Sequence, residues 1–214
     1  MKFKSTIREL LRSFGVERMP KLTSEFKQAI SRLHAESVVL EFGANIGVYT
    51  EILAKTGASV EAYEPDPTAF ELLRRRVRGF ENVKLHASAV SDRSGVSTLY
   101  RHSQFDDDPV LKSQSSSMLS SKHNVSPESG IEISCVDIEE IFCSFEHIDL
   151  MKMDIEGFEI PVLNRLLDTG LADRVSMGFI EVHDRKDPSL ERDTALLRKR
   201  FEQMNLNQYN FDWH

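Results

Sequence analysis

The pattern of hydrophobic and polar positions changes its period near residue 38. Before that point, apolar residues recur at helical spacing and predict two helices, over 3–14 and 23–35. From Val38 to Val90 the pattern predicts strands over 38–42, 59–64 and 83–90, separated by helices over 48–56 and 67–79. Strands and helices that alternate in this way, with short loops, are typical of right-handed crossovers and a parallel sheet. We therefore expect a helical extension over residues 1–36 and one α/β domain over residues 37–214.

A serine-rich stretch interrupts this alternation between residues 91 and 130. Eight of the residues from Ser113 to Ser129 are serine, which is too polar for a core element and predicts a long loop, preceded by a short strand over 96–100. Long loops inside a domain are usually functional or mobile. Regular structure is predicted to return with strands over 131–136, 148–155 and 175–183 and helices over 160–167 and 190–204.

Composition narrows the classes of function. The 214 residues carry a net charge of -7, from 34 acidic and 27 basic side chains, which argues against a broad phosphate-binding surface and against a nucleic acid partner. The two cysteines, Cys135 and Cys143, have no metal-binding spacing. No apolar stretch approaches the roughly 20 residues that span a bilayer. We expect a cytoplasmic protein with no membrane span, and the sequence leaves its oligomeric state open.

The strongest local motif is the turn from Glu41 to Gly47, which leaves a predicted strand and opens a predicted helix. Glycines let the backbone turn sharply and let a ligand approach closely, and the helix that follows offers free amide donors. Glu64 ends the next strand, 21 residues after Gly43, where an acid can bind both hydroxyls of a ribose. Dinucleotide dehydrogenases also combine a glycine-containing turn with an acid after the second strand. In this sequence, however, the glycines do not follow the G-x-G-x-x-G order, and no Tyr-x-x-x-Lys pair is present.

Four segments in the correct order resemble the FkbM family of methyltransferases. They are 41–47 (EFGANIG), 64–67 (EPDP), 89–92 (AVSD) and 149–159 (DLMKMDIEGFE), and the resemblance extends over most of the chain, from Val38 to His183. One departure is Glu41, where the family often has aspartate. The resemblance implies a class I methyltransferase fold, which is a Rossmann-like three-layer α/β sandwich with a mostly parallel, twisted sheet. It also implies S-adenosylmethionine as cofactor and O-methylation of a hydroxyl on a sugar or natural-product-like acceptor.

The resemblance also implies which residues bind the cofactor. Glu41, Gly43, Ala44, Asn45 and Gly47 would surround its methionine part. Glu64 would hold the ribose. The adenine would lie beside Pro65 and Asp66 and the backbone of Ser88, Ala89 and Val90, and Asp154 would face the methyl group.

Methylation of an aliphatic hydroxyl needs a group that removes its proton, or a metal ion that acidifies it. Asp154, Glu181 and His183 are the candidates, because each should lie at the carboxyl end of a strand, where open α/β sheets bind ligands. We favour His183 as general base, since an ordinary histidine pKa near 6.5 suits that role. Two alternatives stay open: the three residues bind a divalent cation, or Glu181 and His183 form a structural hydrogen-bonded pair.

Residues beside these candidates are expected to contact the acceptor, which would be a small molecule or a saccharide. Ser115, Ser116 and Ser117 would donate hydrogen bonds to it, or would belong to a solvated linker. Glu156, like Glu159, would either face the acceptor or cap the next helix. Two other classes of function remain as alternatives: a non-catalytic module that binds a nucleotide-like cofactor, and an NAD-dependent oxidoreductase.

Overall fold

The computed structural model describes residues 22–107, 113, 116–120, 125–185 and 187–213. The helix predicted over 3–14 therefore lies outside the described residues, and the domain boundary at residue 36 stays a prediction. In chain order the elements are α1 (Ser24–Ile30), β1 (Val38–Phe42), α2 (Val48–Ala54), β2 (Ser59–Tyr63), α3 (Pro67–Arg76), β3 (Val83–His86), β4 (Ala89–Ser91), β5 (Gly95–His102), β6 (Val125–Asp137), α4 (Ile138–Cys143), β7 (Leu150–Met153), α5 (Glu159–Thr169), β8 (Gly178–Ile180), α6 (Glu191–Gln203) and β9 (Tyr209–Asn210).

The main sheet has the strand order β3-β2-β1-β7-β8-β9, and neighbouring strands run parallel. At its centre Val39 of β1 is aligned with Val60 of β2 on one side and with Leu150 of β7 on the other. The chain reaches β2 and β3 by moving outward from β1, and it later returns to place β7 on the opposite side. The order therefore reverses between β1 and β7, and in open α/β sheets ligands bind beyond the carboxyl ends of the strands at such a point.

Helices cover both faces of this sheet. Successive side chains of a strand point to opposite faces, so Val39 and Leu40 enter two different apolar clusters. Val39 packs with residues of α1, α2 and α3, such as Phe26 and Leu53. Leu40 packs with residues of α4, α5 and α6, such as Leu163. The predicted three-layer α/β sandwich is confirmed. None of the helices in the described part of the chain combines the length and the apolar composition of a membrane-spanning segment.

A second sheet corrects the prediction of one strand over 83–90. β3 ends at His86, and β4 leaves the main sheet to join a three-stranded sheet with the order β4-β6-β5. In this sheet β4 runs parallel to β6, and β5 runs antiparallel to it, with Thr98 aligned with Glu132. The hydrophobic pattern records strand propensity but not the identity of the partner strand, so it could not show the change of sheet between His86 and Ala89.

Other boundaries also differ from the predictions. β6 begins at Val125, so the predicted loop over 91–130 contains part of a long strand whose polar residues pair with β5. The short helix α4 was not predicted; the side chain of Asp137 caps its first turn by accepting a hydrogen bond from the amide of Glu139 at 2.9 Å. The strand predicted over 175–183 is reduced to β8, with isolated bridges at Val175 and Glu181.

Candidate functional site

The turn after β1 is held against the ends of both neighbouring strands. Gly43 adopts φ +76°, and a Cβ at this position would lie 1.8 Å from the carbonyl oxygen of Asp154. The amides of Gly43 and Ala44 donate to the carbonyl oxygen of Tyr63 at the end of β2, at 3.1 and 3.0 Å. The amide of Asp154, just after β7, donates to the carbonyl oxygen of Phe42 at 3.0 Å. Only glycine combines this backbone conformation with this approach.

Glu64 follows β2 and is 6% exposed. Its carboxylate accepts one hydrogen bond from the amide of Asn45 and another from the amide of Asp66, both at 2.8 Å. Burial raises the pKa of Glu64 to about 7, although the two amide hydrogen bonds act in the opposite direction. A carboxylate has about four acceptor positions, so two remain for a ligand after the amides are bound.

A cleft opens beyond the ends of β1, β2 and β7, bounded on one side by the second sheet. The predicted cofactor residues that line it are Gly43, Asn45, Glu64, Pro65, Ser88, Ala89, Val90 and Asp154, and the predicted acceptor residues are Ser116, Ser117 and Glu156. Ser115 lies outside the described residues. Tyr63, Leu99, Ser113, Met118 and Ile155 also line the cleft and were not predicted, because most of them reach it through the second sheet or the serine-rich segment.

Glu41 does not line the cleft, although it was predicted to surround the methionine part of the cofactor. Its side chain is fully buried, and its Oε1 lies 3.8 Å from Nζ of Lys152 on β7. Lys152 also donates to the carbonyl oxygen of Gly43 at 2.9 Å. Burial raises the pKa of Glu41 to about 7, and the charge of Lys152 opposes this rise. Lys152 was not predicted as a site residue. The sequence does contain a clue, because Lys152 is the one charged residue in the apolar run of β7.

Ala44, Gly47 and Asp66 support the cleft without lining it. Gly47 precedes α2 at φ +81°, and a Cβ there would meet Cδ1 of Leu73 at 2.7 Å. Asp66 is buried and caps α3, because its Oδ1 accepts hydrogen bonds from the amides of Thr68 and Ala69.

The serine-rich segment is tied to this framework by its side chains. Oδ2 of Asp66 accepts hydrogen bonds from Ser116 Oγ and from Arg101 Nε, each at 3.3 Å. Ser117 Oγ donates to the carbonyl oxygen of Glu156 at 2.7 Å. The backbone of Ser117 also exchanges hydrogen bonds with Tyr100 of β5. These contacts place Ser116 and Ser117 in the wall of the cleft.

An acidic cluster surrounds His183 at the end of the cleft near Asp154. His183 is 1% exposed. Its Nδ1 lies 3.1 Å from Oε1 of Glu159, and its Nε2 lies 3.4 Å from Oε2 of Glu156 and 3.7 Å from Oδ1 of Asp154. Donor atoms of Asp154, Glu159 and His183 all lie within 4.8 Å of one another, so these residues can hold a metal ion.

The cluster changes the acidity of its members. Burial alone would lower the pKa of His183, but Glu156 and Glu159 outweigh it and raise that pKa to about 10. Burial raises the pKa of Asp154 to about 7; Lys152 opposes this rise, while the carboxylate of Glu181 adds to it. The raised pKa of His183 does not favour its predicted role as general base.

The fold and the cleft define a class: an α/β protein with a cleft at the reversal point of a parallel sheet, beside an acid that follows the second strand. The chain belongs to the FkbM methyltransferase family, because residues 41–208 match the model of the methyltransferase FkbM domain. The fold agrees with the crystal structure of methyltransferase FkbM from Methylobacillus flagellatus KT, at a TM-score of 0.50 and 18% identity over 85% of this chain and 42% of that chain.

Other matches are partial or distant. Ribosomal RNA small subunit methyltransferase A from Thermotoga petrophila is 51% identical over 53 residues, and the protein of that name from Thermotoga maritima is 47% identical over 55 residues. Each match covers about a quarter of this chain and 20% of the relative's length. Precorrin-6y C5,15-methyltransferase from Geobacter metallireducens is 12% identical over 85% of this chain and 74% of that chain, at a TM-score of 0.44. The names of the Thermotoga relatives give no support to the prediction that excludes nucleic acid.

Proposed function

We propose that the protein transfers a methyl group from S-adenosylmethionine to a hydroxyl group of a small-molecule or saccharide acceptor. The observation that carries this proposal is the buried carboxylate of Glu64, held by two backbone amides at the edge of the cleft. Its remaining acceptor positions suit the two hydroxyls of a ribose. Family membership supplies the reaction class.

The residues of the cleft fit the other parts of the cofactor. Ala89, Val90 and Leu99 give one wall an apolar surface, as a flat purine ring requires. Gly43 and Asn45 bring backbone to the opposite side, at the end of β1. When bound, the cofactor supplies a methyl group on a positively charged sulfur, which is already activated for transfer. The chain itself must align the acceptor and exclude water from the reaction.

At the acceptor end, Asp154 and Glu156 present carboxylates to the cleft. An ionised carboxylate accepts the hydrogen bond of a hydroxyl group and so orients its oxygen. Ser116 and Ser117 form the wall beside them; each Oγ already donates its proton, to Asp66 or to the carbonyl oxygen of Glu156, so it can only accept a hydrogen bond from the acceptor. We assign removal of the acceptor's proton to Asp154 and Glu156, which line that end of the cleft, with His183 buried beside them.

Calorimetric titration of the full chain with S-adenosylmethionine, S-adenosylhomocysteine and NAD tests the cofactor assignment. We expect both sulfur compounds to bind and Glu64→Gln to weaken them by at least about tenfold, through lost charge-assisted hydrogen bonds. Glu71→Gln is the matched control, because Glu71 lies on the exposed face of α3, where its carboxylate accepts hydrogen bonds from Arg74 and Arg75. Binding of NAD without either sulfur compound would overturn the proposal in favour of an oxidoreductase.

The acceptor is tested by the formation of S-adenosylhomocysteine with hydroxyl-bearing small molecules and saccharides. Small-subunit ribosomal RNA is tested as a separate acceptor, because the short matches to the Thermotoga enzymes suggest it as a possible substrate. Turnover with a hydroxyl acceptor supports the proposal, whereas turnover with RNA alone would refute its acceptor class. Cofactor binding without turnover on any acceptor would favour the non-catalytic module.

A further inference from the structure

Several carboxylate oxygens converge on the ring of His183, and the methyl-transfer proposal does not account for this arrangement. The ring is buried beneath the acceptor end of the cleft, and carboxylates face both of its nitrogens. Neither ring nitrogen makes a hydrogen bond of acceptable geometry, and Oδ1 of Asp154 is likewise buried without one. Buried polar atoms in proteins are nearly always hydrogen-bonded, so atoms that converge without such bonds are typical of a cation site.

The two nitrogens of His183 have different surroundings. Nδ1 faces Glu159, whose Oε1 is fixed because it also accepts from the amides of Ile155 and Gly157, at 3.0 and 3.1 Å. A carboxylate placed in this way fixes the tautomer and the ring orientation of a metal-binding histidine. Nε2 is thereby turned toward Asp154 and Glu156, the two carboxylates that line the cleft.

The distances around Nε2 suit a shared ion. Nε2 lies 3.4 Å from Oε2 of Glu156 and 3.7 Å from Oδ1 of Asp154. Neighbouring ligands of a tetrahedral ion with bonds of 2.0–2.2 Å lie about 3.4 Å apart. The local charge also favours a cation, since the carboxylates of Asp154, Glu156 and Glu159 surround the ring, with Lys152 Nζ 4.0 Å from Asp154.

We propose that His183 Nε2 and the carboxylates of Asp154 and Glu156 bind one divalent transition-metal ion, and that Glu159 positions the imidazole. One nitrogen and two carboxylate oxygens favour Mn²⁺ or Zn²⁺ over Mg²⁺ and Ca²⁺, which prefer oxygen ligands alone. Because Asp154 and Glu156 line the cleft, the other coordination positions of the ion face it and can accept water or an oxygen atom of the acceptor. The site does not depend on the identity of the methyl donor, and its test is independent of turnover.

Mn²⁺ titration of the metal-free full chain, followed by electron paramagnetic resonance of the free ion, tests this site. We expect one Mn²⁺ per chain, displaced by Zn²⁺ and not by an equal concentration of Mg²⁺. His183→Ala should abolish the binding, and Glu159→Gln should weaken it by about 10–100-fold, as expected for a residue that orients a ligand. His86→Ala is the matched control, because among the described residues His86 on β3 faces one carboxylate only, that of Glu61, at 2.5 Å between Nε2 and Oε2.

Far-ultraviolet circular dichroism and urea unfolding establish that each variant is folded. If His183→Ala fails to fold, Asp154→Asn and Glu156→Gln replace it, and each should weaken Mn²⁺ by at least about tenfold. The proposal is overturned if the wild-type chain binds no Mn²⁺ or Zn²⁺ stoichiometrically. It is also overturned if folded variants at these positions bind as tightly as the His86→Ala control.

Discussion

Replacement of Gly43 by alanine tests how closely the ends of β1 and β7 must approach to form the floor of the cleft. The new Cβ would lie 1.8 Å from the carbonyl oxygen of Asp154 and 2.8 Å from its carbonyl carbon. Ordinary van der Waals contact begins at 3.4 Å, so the two backbones must separate by about 1.6 Å. The obstacle is backbone at the end of a buried strand, which cannot rotate away as a side chain can.

Two costs combine in this variant. A non-glycine residue at φ +76° loses about 1–2 kcal/mol to left-handed backbone strain. Forcing extra volume into a packed region adds about 1–3 kcal/mol. We expect Gly43→Ala to lower the free energy of unfolding by about 2–5 kcal/mol, a large part of the 5–15 kcal/mol typical of a domain.

Gly170→Ala separates the two costs. Gly170 ends α5 at φ +71°, and a Cβ there would meet nothing within 4 Å. The control therefore has the same strain and the same gain from a stiffer unfolded chain, but no clash. It should lose only about 1–2 kcal/mol, and the difference between the two variants measures the clash.

Urea unfolding followed by circular dichroism provides the comparison, with free energies from linear extrapolation and equal m-values as the condition for using them. Cofactor affinity is measured on the same samples, and we expect it to fall for Gly43→Ala alone. Equal destabilisation by the two substitutions would refute the reasoning, since the approach of Asp154 to Gly43 would then carry no cost.

Three further predictions concern residues outside the acidic cluster. The pKa of Glu41 rises from 4.5 to about 7 on folding. Its contribution to the free energy of unfolding is therefore greatest below pH 4.5 and is lost as the pH rises toward 7. We expect the free energy of unfolding to fall by roughly 3 kcal/mol over this pH range. Glu41→Gln should remove this pH dependence in urea unfolding, and a variant with the same pH dependence as the wild type would contradict the prediction. Asp66→Ala should cost about 0.5–2 kcal/mol through the lost cap of α3, whereas Asp66→Asn should be milder; equal losses in thermal unfolding would argue against capping. Phe26→Ala should cost about 3–5 kcal/mol because its ring packs against Phe179 and Trp213, and a loss below 1 kcal/mol would show that this cluster is dispensable.

The sequence predicted the main sheet well because short buried strands and amphipathic helices have distinct periods. The runs that became β1 and β7 are apolar apart from one charged residue each, the run that became β2 alternates, and Asp66 and Pro67 mark the start of α3 in the sequence itself. The second sheet was harder to predict from the sequence. Apolar and polar residues are mixed along β6, and this strand begins within the serine-rich segment. Its pairing with β5 depends on contacts between distant parts of the chain, which local patterns do not record.

The site divides in the same way. Gly43 and Glu64 were found because a turn between strand and helix and an acid after the second strand each follow from the geometry of the sheet. The burial of Glu41 was not predicted, because its partner Lys152 lies on a strand more than a hundred residues away. The surroundings of His183 depend on three carboxylates within residues 154–159, and only the fold shows that they face the ring of a residue from another part of the chain.

The two-sheet construction of the cleft has a consequence for the exchange of bound molecules. The wall containing Ser116 and Ser117 is joined to the main framework by a few side-chain hydrogen bonds, to Asp66 and to the carbonyl oxygen of Glu156, with Arg101 beside them. Such bonds total about 2–5 kcal/mol, less than the stability of a typical domain. Breaking these bonds alone would therefore leave the parallel sheet intact. In the proposed reaction we expect the spent cofactor to leave the cleft past this wall.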